Sequence, residues 1–259
     1  MANLLLFSIT LFDKSSILEK ATQNGFNYKA VEITEVNKCP ENQFCVEFSG
    51  KNYLIKKKNN FEATEIISKK SIEINITPDS SYVSYFLYLE HTAGVHKVQF
   101  SKKKMVINSG VANIVKLQIV GTSSTGPEVI WEKQLKKQKE LPFVNSFEES
   151  INRLRKSFFL PQLSKAKELK PASDKALSRL KKEGLIHYSF ETGGIRHTRI
   201  GKKVLGENLF VAENKEKGWK MLINSPSHLY NLVNPQFKQY FISISEEKEG
   251  VAGAIVFSE

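Results

Sequence analysis

The stretch from Leu163 to Leu205, LSKAKELKPASDKALSRLKKEGLIHYSFETGGIRHTRIGKKVL, constrains this chain more than any other. Pro171 cannot continue a helix, which predicts a stop after a short helical segment at Leu163 to Leu169. Ser173 or Asp174 can then accept backbone N–H groups as the cap of a new helix. In that second helix Ala176, Leu177 and Leu180 fall on one side at three- and four-residue spacing, while Lys175, Arg179 and Lys182 recur on another. Gly184 ends it, and Leu185 and Ile186 resume apolar burial as a strand. Glu191-Thr192-Gly193-Gly194 provides the positive-φ positions of a hairpin turn, and the returning strand carries Arg196, His197 and Arg199. The order is therefore short helix, tight turn, basic helix, hairpin.

Charge singles out the same stretch. Residues 151–203 hold 14 Lys plus Arg against 4 Asp plus Glu, residues 1–150 hold 19 against 16, and residues 204–259 hold 5 against 7. Nearly all of the net charge of +11 thus sits in one segment. A solvated basic surface is the plainer reading of such residues. A field this concentrated is what neutralising DNA phosphates calls for, and the chain reads as DNA-binding.

A chain of 259 residues with 41% hydrophobic residues buries a sizeable core and has room for more than one domain. The apolar run Leu4 to Phe12 has no basic residue before it and no small-residue cleavage pattern after it, so it reads as a buried strand. No stretch approaches the ~20 apolar residues of a membrane span. Cys39 and Cys45 have no zinc-ligand spacing around them; reduced thiols in a cytoplasmic protein are the expectation, with one small disulfide as the alternative.

Along the chain, Leu4 to Thr10 reads as a strand, Asp13 to Asn24 as a helix and Tyr28 to Ile33 as a strand, a βαβ order that makes the two strands parallel. Phe44 to Lys58 reads as two short strands around Ser49-Gly50-Lys51-Asn52, and Phe61 to Lys69 as a short helix. Ile72 to Ile76 alternates as a strand, Thr77 to Ser81 is a turn, and Ser80 to Ala93 reads as a helix leading to a strand at Val95 to Phe100. Open sheets of this kind bind ligands beyond the carboxyl ends of their strands, here at Ser8, Thr10 and Asp13 and at Thr77, Asp79, Ser80 and Ser81. Strands follow at Met105 to Asn108, Ile114 to Val120 and Glu128 to Trp131. A helix from Ser146 to Phe159 then leads into the basic stretch. In the tail, Ser225 to Leu232 reads as a helix, and Gln239 to Ser245 and Val251 to Ser258 as strands.

Catalytic patterns are sparse. A metal-dependent nuclease needs carboxylates and a lysine converging on a cation, and Asp79, Glu128, Glu132 and Lys133 are the candidates, without the usual short carboxylate-x-lysine spacing. The five histidines are scattered, and no glycine-rich nucleotide fingerprint is present. No cofactor and no metal site are expected.

The segment LSKAKELKPASDKALSRLKKEGLI followed by GGIRHTRIGKKVL resembles the winged helix-turn-helix of bacterial and archaeal regulators. The first half, LLLFSITLFDKSSILEKA and IEINITPDSSYVSYFLYLEHTAGVHKVQF, is similar to the CRISPR-associated Rossmann-fold domains that precede winged helices in one family of regulators. That resemblance implies a homodimer whose loops at Ile9 to Asp13 and Thr77 to Ser81 bind a small nucleotide, a cyclic oligoadenylate, although the glycine-glycine-threonine turn common in such domains is here Thr-Pro-Asp-Ser-Ser. The expected fold class is α/β plus α+β: a Rossmann-like mixed-sheet domain over residues 1–141, a winged helix over 142–206 and a mixed α/β extension over 207–259. The expected function is a cytoplasmic transcriptional regulator of double-stranded DNA. Lys170, Ser173, Lys175, Ser178, Arg179 and Lys182 would lie on the recognition helix, and Arg196, His197, Arg199, Lys202 and Lys203 on the wing. The alternatives are a DNA-cleaving enzyme targeted by the winged helix and a structural nucleoprotein.

Overall fold

The computed structural model describes residues 17, 31–41, 43–57, 61–100, 103–108, 110–123, 126–138, 141–183, 205–248 and 250–259. The expected first strand and helix, Ser8, Thr10 and Asp13, and the whole wing with Arg196, His197, Arg199, Lys202 and Lys203 lie outside the described residues.

Strands β1 (Val31–Val36), β2 (Cys45–Phe48) and β3 (Lys51–Lys57) form an antiparallel sheet in the order β1-β3-β2. Ser49 and Gly50 both take positive φ, 51° and 73°, which is what a two-residue hairpin with right-handed strand twist demands. Ile17, Val46, Tyr53 and Ile55 make its small core. A disulfide joins Cys39 to Cys45 at the start of β2.

The next strands build a sandwich. One sheet has the order β4 (Glu62–Ile67), β5 (Ile72–Thr77), β8 (Lys104–Ile107). The other has the order β10 (Gly126–Gln134), β9 (Ile114–Ser123), β6 (Ser84–His91), β7 (Gly94–Gln99). Every pairing in both is antiparallel. Ile72, Ile74 and Ile76 alternate inward from the first sheet and meet Leu87, Leu89, Leu117 and Ile119 of the second, the period-2 pattern of a half-buried strand. The chain crosses between sheets after β5, β7 and β8, a Greek-key connectivity of the immunoglobulin-like kind.

Residues 141–259 make a three-layer α/β/α module. Its sheet has the order β11 (Ser164–Lys165), β13 (Gln239–Glu247), β14 (Gly250–Ser258), β12 (Gly206–Ala212); β11 runs parallel to β13 and the other pairings are antiparallel. Helix α1 (Phe147–Ser157), α3 (Lys215–Asn224) and α4 (Pro226–Leu232) cover one face, against Phe210, Tyr240, Ile255 and Phe257. Helix α2 (Lys170–Glu183) covers the other, with Ala172, Ala176 and Leu180 on Leu209, Val211, Ala252, Ala254 and Val256. Central strand β14 is buried along its whole length. At Gly253 a Cβ would fall 2.3 Å from the Phe210 ring, so only glycine lets that ring close over the strand.

These findings overturn the expected fold class. The described part of the N-terminal half is antiparallel, not a Rossmann-like sheet: β1 pairs with β3 in antiparallel register, the expected helix at Phe61 to Lys69 is strand β4, and the expected helix at Ser80 to Ala93 is strand β6 and its turn. The reason for the second misreading is physical. Tyr85, Leu87 and Leu89 point into the sandwich, while Tyr88 lies on the opposite face, under the C-terminal module. A strand covered on both faces loses its polar-apolar alternation and looks like a buried helix.

The winged-helix reading is likewise overturned. Leu163 to Leu169 holds strand β11 and a 3-10 turn at Lys167–Leu169, not a first helix. Pro171 sits in the first turn of α2, where its missing N–H costs no bond; it opens a helix instead of closing one. Ser173 is not a cap: its hydroxyl is fully buried and donates to the Ala254 carbonyl oxygen at 2.8 Å.

Candidate functional site

Helix α4 is short, and each of its sides has a different task. Pro226 occupies its first turn, and its N-cap Ser225 makes no capping bond of its own. The open backbone N–H of Ser227 instead donates to Gln118 Oε1 of β9 at 2.9 Å, so the sandwich caps a helix of the other module. Gln118 Nε2 also donates to Glu132 Oε2 (3.2 Å) and to Ser225 Oγ (3.3 Å). Beside it Lys116 Nζ donates to the Asn224 carbonyl (2.9 Å) and pairs with Glu132 (3.1 Å). Tyr230 meets Tyr88 edge-on at 5.7 Å, and burial drives the Tyr88 hydroxyl well above its ordinary pKa. The two modules are joined by a continuous network, not by a loose linker.

The core side of α4 carries Leu229 and Leu232. At its C-terminal end stands Arg155, whose side chain is wholly buried. Its guanidinium donates to the carbonyls of Pro161 (2.7 Å), Leu232 (3.0 Å), Asn234 (3.0 Å) and Phe237 (3.3 Å). Burial lowers its pKa. Two of those acceptors lie at or just beyond the end of α4, where the helix dipole favours a cation.

The third side faces edge strand β12 and makes the densest polar constellation of the module. Arg179 Nη2 of α2 donates to both Glu207 oxygens, at 2.9 and 2.8 Å, and the two side chains are only 8% and 6% exposed. Asn231 Nδ2 donates to the Glu207 carbonyl (3.2 Å) and to Asn208 Oδ1 (2.8 Å), and Asn208 Nδ2 donates to the His228 carbonyl (3.0 Å). Gly206 is needed beneath them, since a Cβ there would meet the Phe237 ring at 2.9 Å. Glu207 is thus held by a guanidinium and serves as an acceptor to it.

Among the described residues, the expected recognition side chains divide between two sides of α2. Of the recognition-helix residues, Ser173 and Arg179 face the sheet, and Arg179 is committed to Glu207. Lys170, Lys175, Ser178 and Lys182 lie toward the outer side of the helix, with Lys170 on Asp174 within its own helix. Neighbouring Lys181 pairs with Glu247 at 2.6 Å. The double-stranded DNA partner and the transcriptional role are corrected accordingly: α2 is a layer of an α/β/α module with no helix-turn-helix before it. The nucleotide loop fares the same way. Thr77, Asp79, Ser80 and Ser81 form the crossover between the two sandwich sheets, where Tyr85 Oη donates to the Asp79 carbonyl and accepts from its N–H (both 2.8 Å), and Asp79 Oδ1 accepts from the Ser81 N–H. The homodimer implied with that nucleotide loses its ground. For a nuclease, Asp79, Glu132 and Lys133 do not converge: Glu132 pairs with Lys116, and Lys133 with Glu65 of the facing sheet. Among the described residues no three His, Cys, Asp or Glu side chains are grouped to hold a metal ion, and no helix is long and apolar enough to cross a membrane.

Glu207, Asn208 and His228 carried no motif legible in the sequence, because the pair with Arg179 spans 28 residues and exists only once α2 lies on the sheet. No family model matches the chain, and no curated protein matches it in sequence. Among solved structures it is similar to an outer surface protein from Borrelia burgdorferi (17% identity, 43% of this chain and 88% of that one, TM-score 0.38). It is similar also to an extracellular protein containing an SCP domain from Bacillus anthracis (12% identity, 76% and 67% covered, TM-score 0.33) and to a cysteine-rich secretory protein from Staphylococcus aureus (11% identity, 95% and 91% covered, TM-score 0.34).

Proposed function

We propose that this chain works outside the reducing cytoplasm as a two-module binding protein, in which the β-sandwich and the α/β/α module are held as one body by α4. The carrying observation is the Cys39–Cys45 disulfide, which uses both cysteines of the chain. Such bonds persist in oxidising compartments and are reduced in the cytosol. This replaces the cytoplasmic, reduced-thiol expectation. Binding, not DNA regulation, fits a module in which Arg179 is spent on Glu207 and the polar constellation is pre-organised by Arg179, Asn208 and Asn231.

Fractionation of cells producing the full-length protein tests the reading. The protein is expected in an extracytoplasmic fraction, with both thiols protected from alkylation until reductant is added. A cytoplasmic pool with two freely alkylated cysteines overturns it.

A further inference from the structure

At the junction of the two modules lies a cleft of about 290 Å³. Glu90 and Thr92 reach it from the end of β6 and the following turn, Leu141 from the segment before α1, Phe158 from the end of α1, and Asn224 and Leu229 from α3 and α4. It is distinct from the Glu207 constellation, which lies on the β12 side of α4.

The electrostatics of this cleft are unbalanced. Glu90 is 7% exposed, and the one hydrogen bond to its carboxylate among the described residues comes from neutral Gln138 Nε2, at 2.6 Å. Lys116 stands directly opposite Glu90 in the β6–β9 register and attracts it, but its ammonium is paired with Glu132 and bonded to the Asn224 carbonyl. Glu90 and Glu132 thus draw on one ammonium, and the exposed Lys137 lines the cleft as well. His91 and His96 stack edge-on at 5.1 Å, and burial together with the neighbouring ring keeps His91 neutral to lower pH than usual. Burial is likewise the main cause that raises Glu90 to a pKa of about 7, against the lowering effects of Gln138 and Lys116. A buried carboxylate with no ion pair of its own among the described residues, beside an apolar wall, has the chemistry of an ammonium receptor.

We propose that the inter-module cleft is a binding site for a small organic amine, its ammonium on the Glu90 carboxylate and its apolar body against Leu141, Phe158 and Leu229. The proposal does not rest on the compartment in which the protein works, so the two can fail separately.

Titrating the full-length, isotope-labelled protein with 2-phenylethylamine at pH 8, and in parallel with 3-phenylpropionate, tests it by NMR. Saturable shifts are expected at the backbone amides of Thr92, Phe158 and Asn224 with the amine, and affinity for the carboxylate at least about tenfold weaker. Glu90→Gln preserves shape and removes the charge; it should weaken amine binding at least about tenfold. Thr92→Trp plugs the exposed mouth without touching Glu90 and should weaken it comparably, which separates loss of the site from loss of the fold. Equal or tighter binding of the carboxylate, amine binding indifferent to either substitution, or no saturable shifts at the cleft would each overturn the proposal.

Discussion

Arg155 and Glu90 are both ionisable groups buried around α4, and the protein treats them in opposite ways. Arg155 lies in the core of the α/β/α module with four carbonyl oxygens around it, two of them at the end of a helix. Glu90 lies at the junction with one neutral donor and a lysine committed elsewhere. A charge wired in this way is a structural rivet, because four of the five guanidinium N–H groups meet a carbonyl oxygen. An under-wired charge beside a cleft is a cost to the fold, retained where something else can meet it.

The largest effect is expected from breaking the wired case. Arg155→Ala strips the guanidinium from the carbonyls of Pro161, Leu232, Asn234 and Phe237 at once and should destabilise by about 3–5 kcal/mol in chemical denaturation. A loss under about 1 kcal/mol would mean that those carbonyls find water. The Arg179–Glu207 pair is the intermediate case, a charge wired by its opposite. Removing either partner alone should cost about 2–4 kcal/mol, while the double replacement R179M/E207L should recover much of it; strictly additive losses would show that the two do not interact.

Glu90→Gln sharpens the other side with the opposite sign. The folded carboxyl holds its proton up to about pH 7 against an ordinary value of 4.5, so between those values the folded state binds more protons than the unfolded state, and stability falls as pH rises. The penalty is complete above pH 7 and absent below pH 4.5. E90Q should therefore raise stability at pH 8 by about 1–2 kcal/mol, allowing for solvent access through the cleft, and change little at pH 4.5. A destabilised E90Q at pH 8 would place Glu90 among the wired charges. The smallest effect marks the surface baseline: Lys97 Nζ lies 4.1 Å over the Phe86 ring, and Lys97→Ala should cost about 0.5–1 kcal/mol by thermal denaturation.

Some of this was legible in the residues alone. Ile72, Ile74 and Ile76 announce a half-buried strand, Ser49-Gly50 a hairpin, and Ser146 a helix start, where its hydroxyl accepts from the Glu149 N–H. The tail is legible too, because Pro226 opens α4 and the strands on either side of residues 248–249 pair in continuous register. What misled was burial on two faces at once. Strand β6 has a helix-like sequence because the second module covers its outer side, and α2 has the sequence of a basic recognition helix because the partner of Arg179, Glu207, comes from distant β12. The Glu90 cleft was invisible for the same reason: its walls are brought together by α4 docking on the sandwich, and no local pattern encodes that contact.

The contrast between the two buried charges is tested most directly by following the Glu90 side-chain carboxyl through a pH titration by carbon-detected NMR of the intact chain. A carboxylate short of positive charge should titrate with a midpoint near pH 7. A midpoint at the ordinary 4.5 would show that the carboxylate is already compensated, and would contradict the reading of the cleft as a site waiting for a cation.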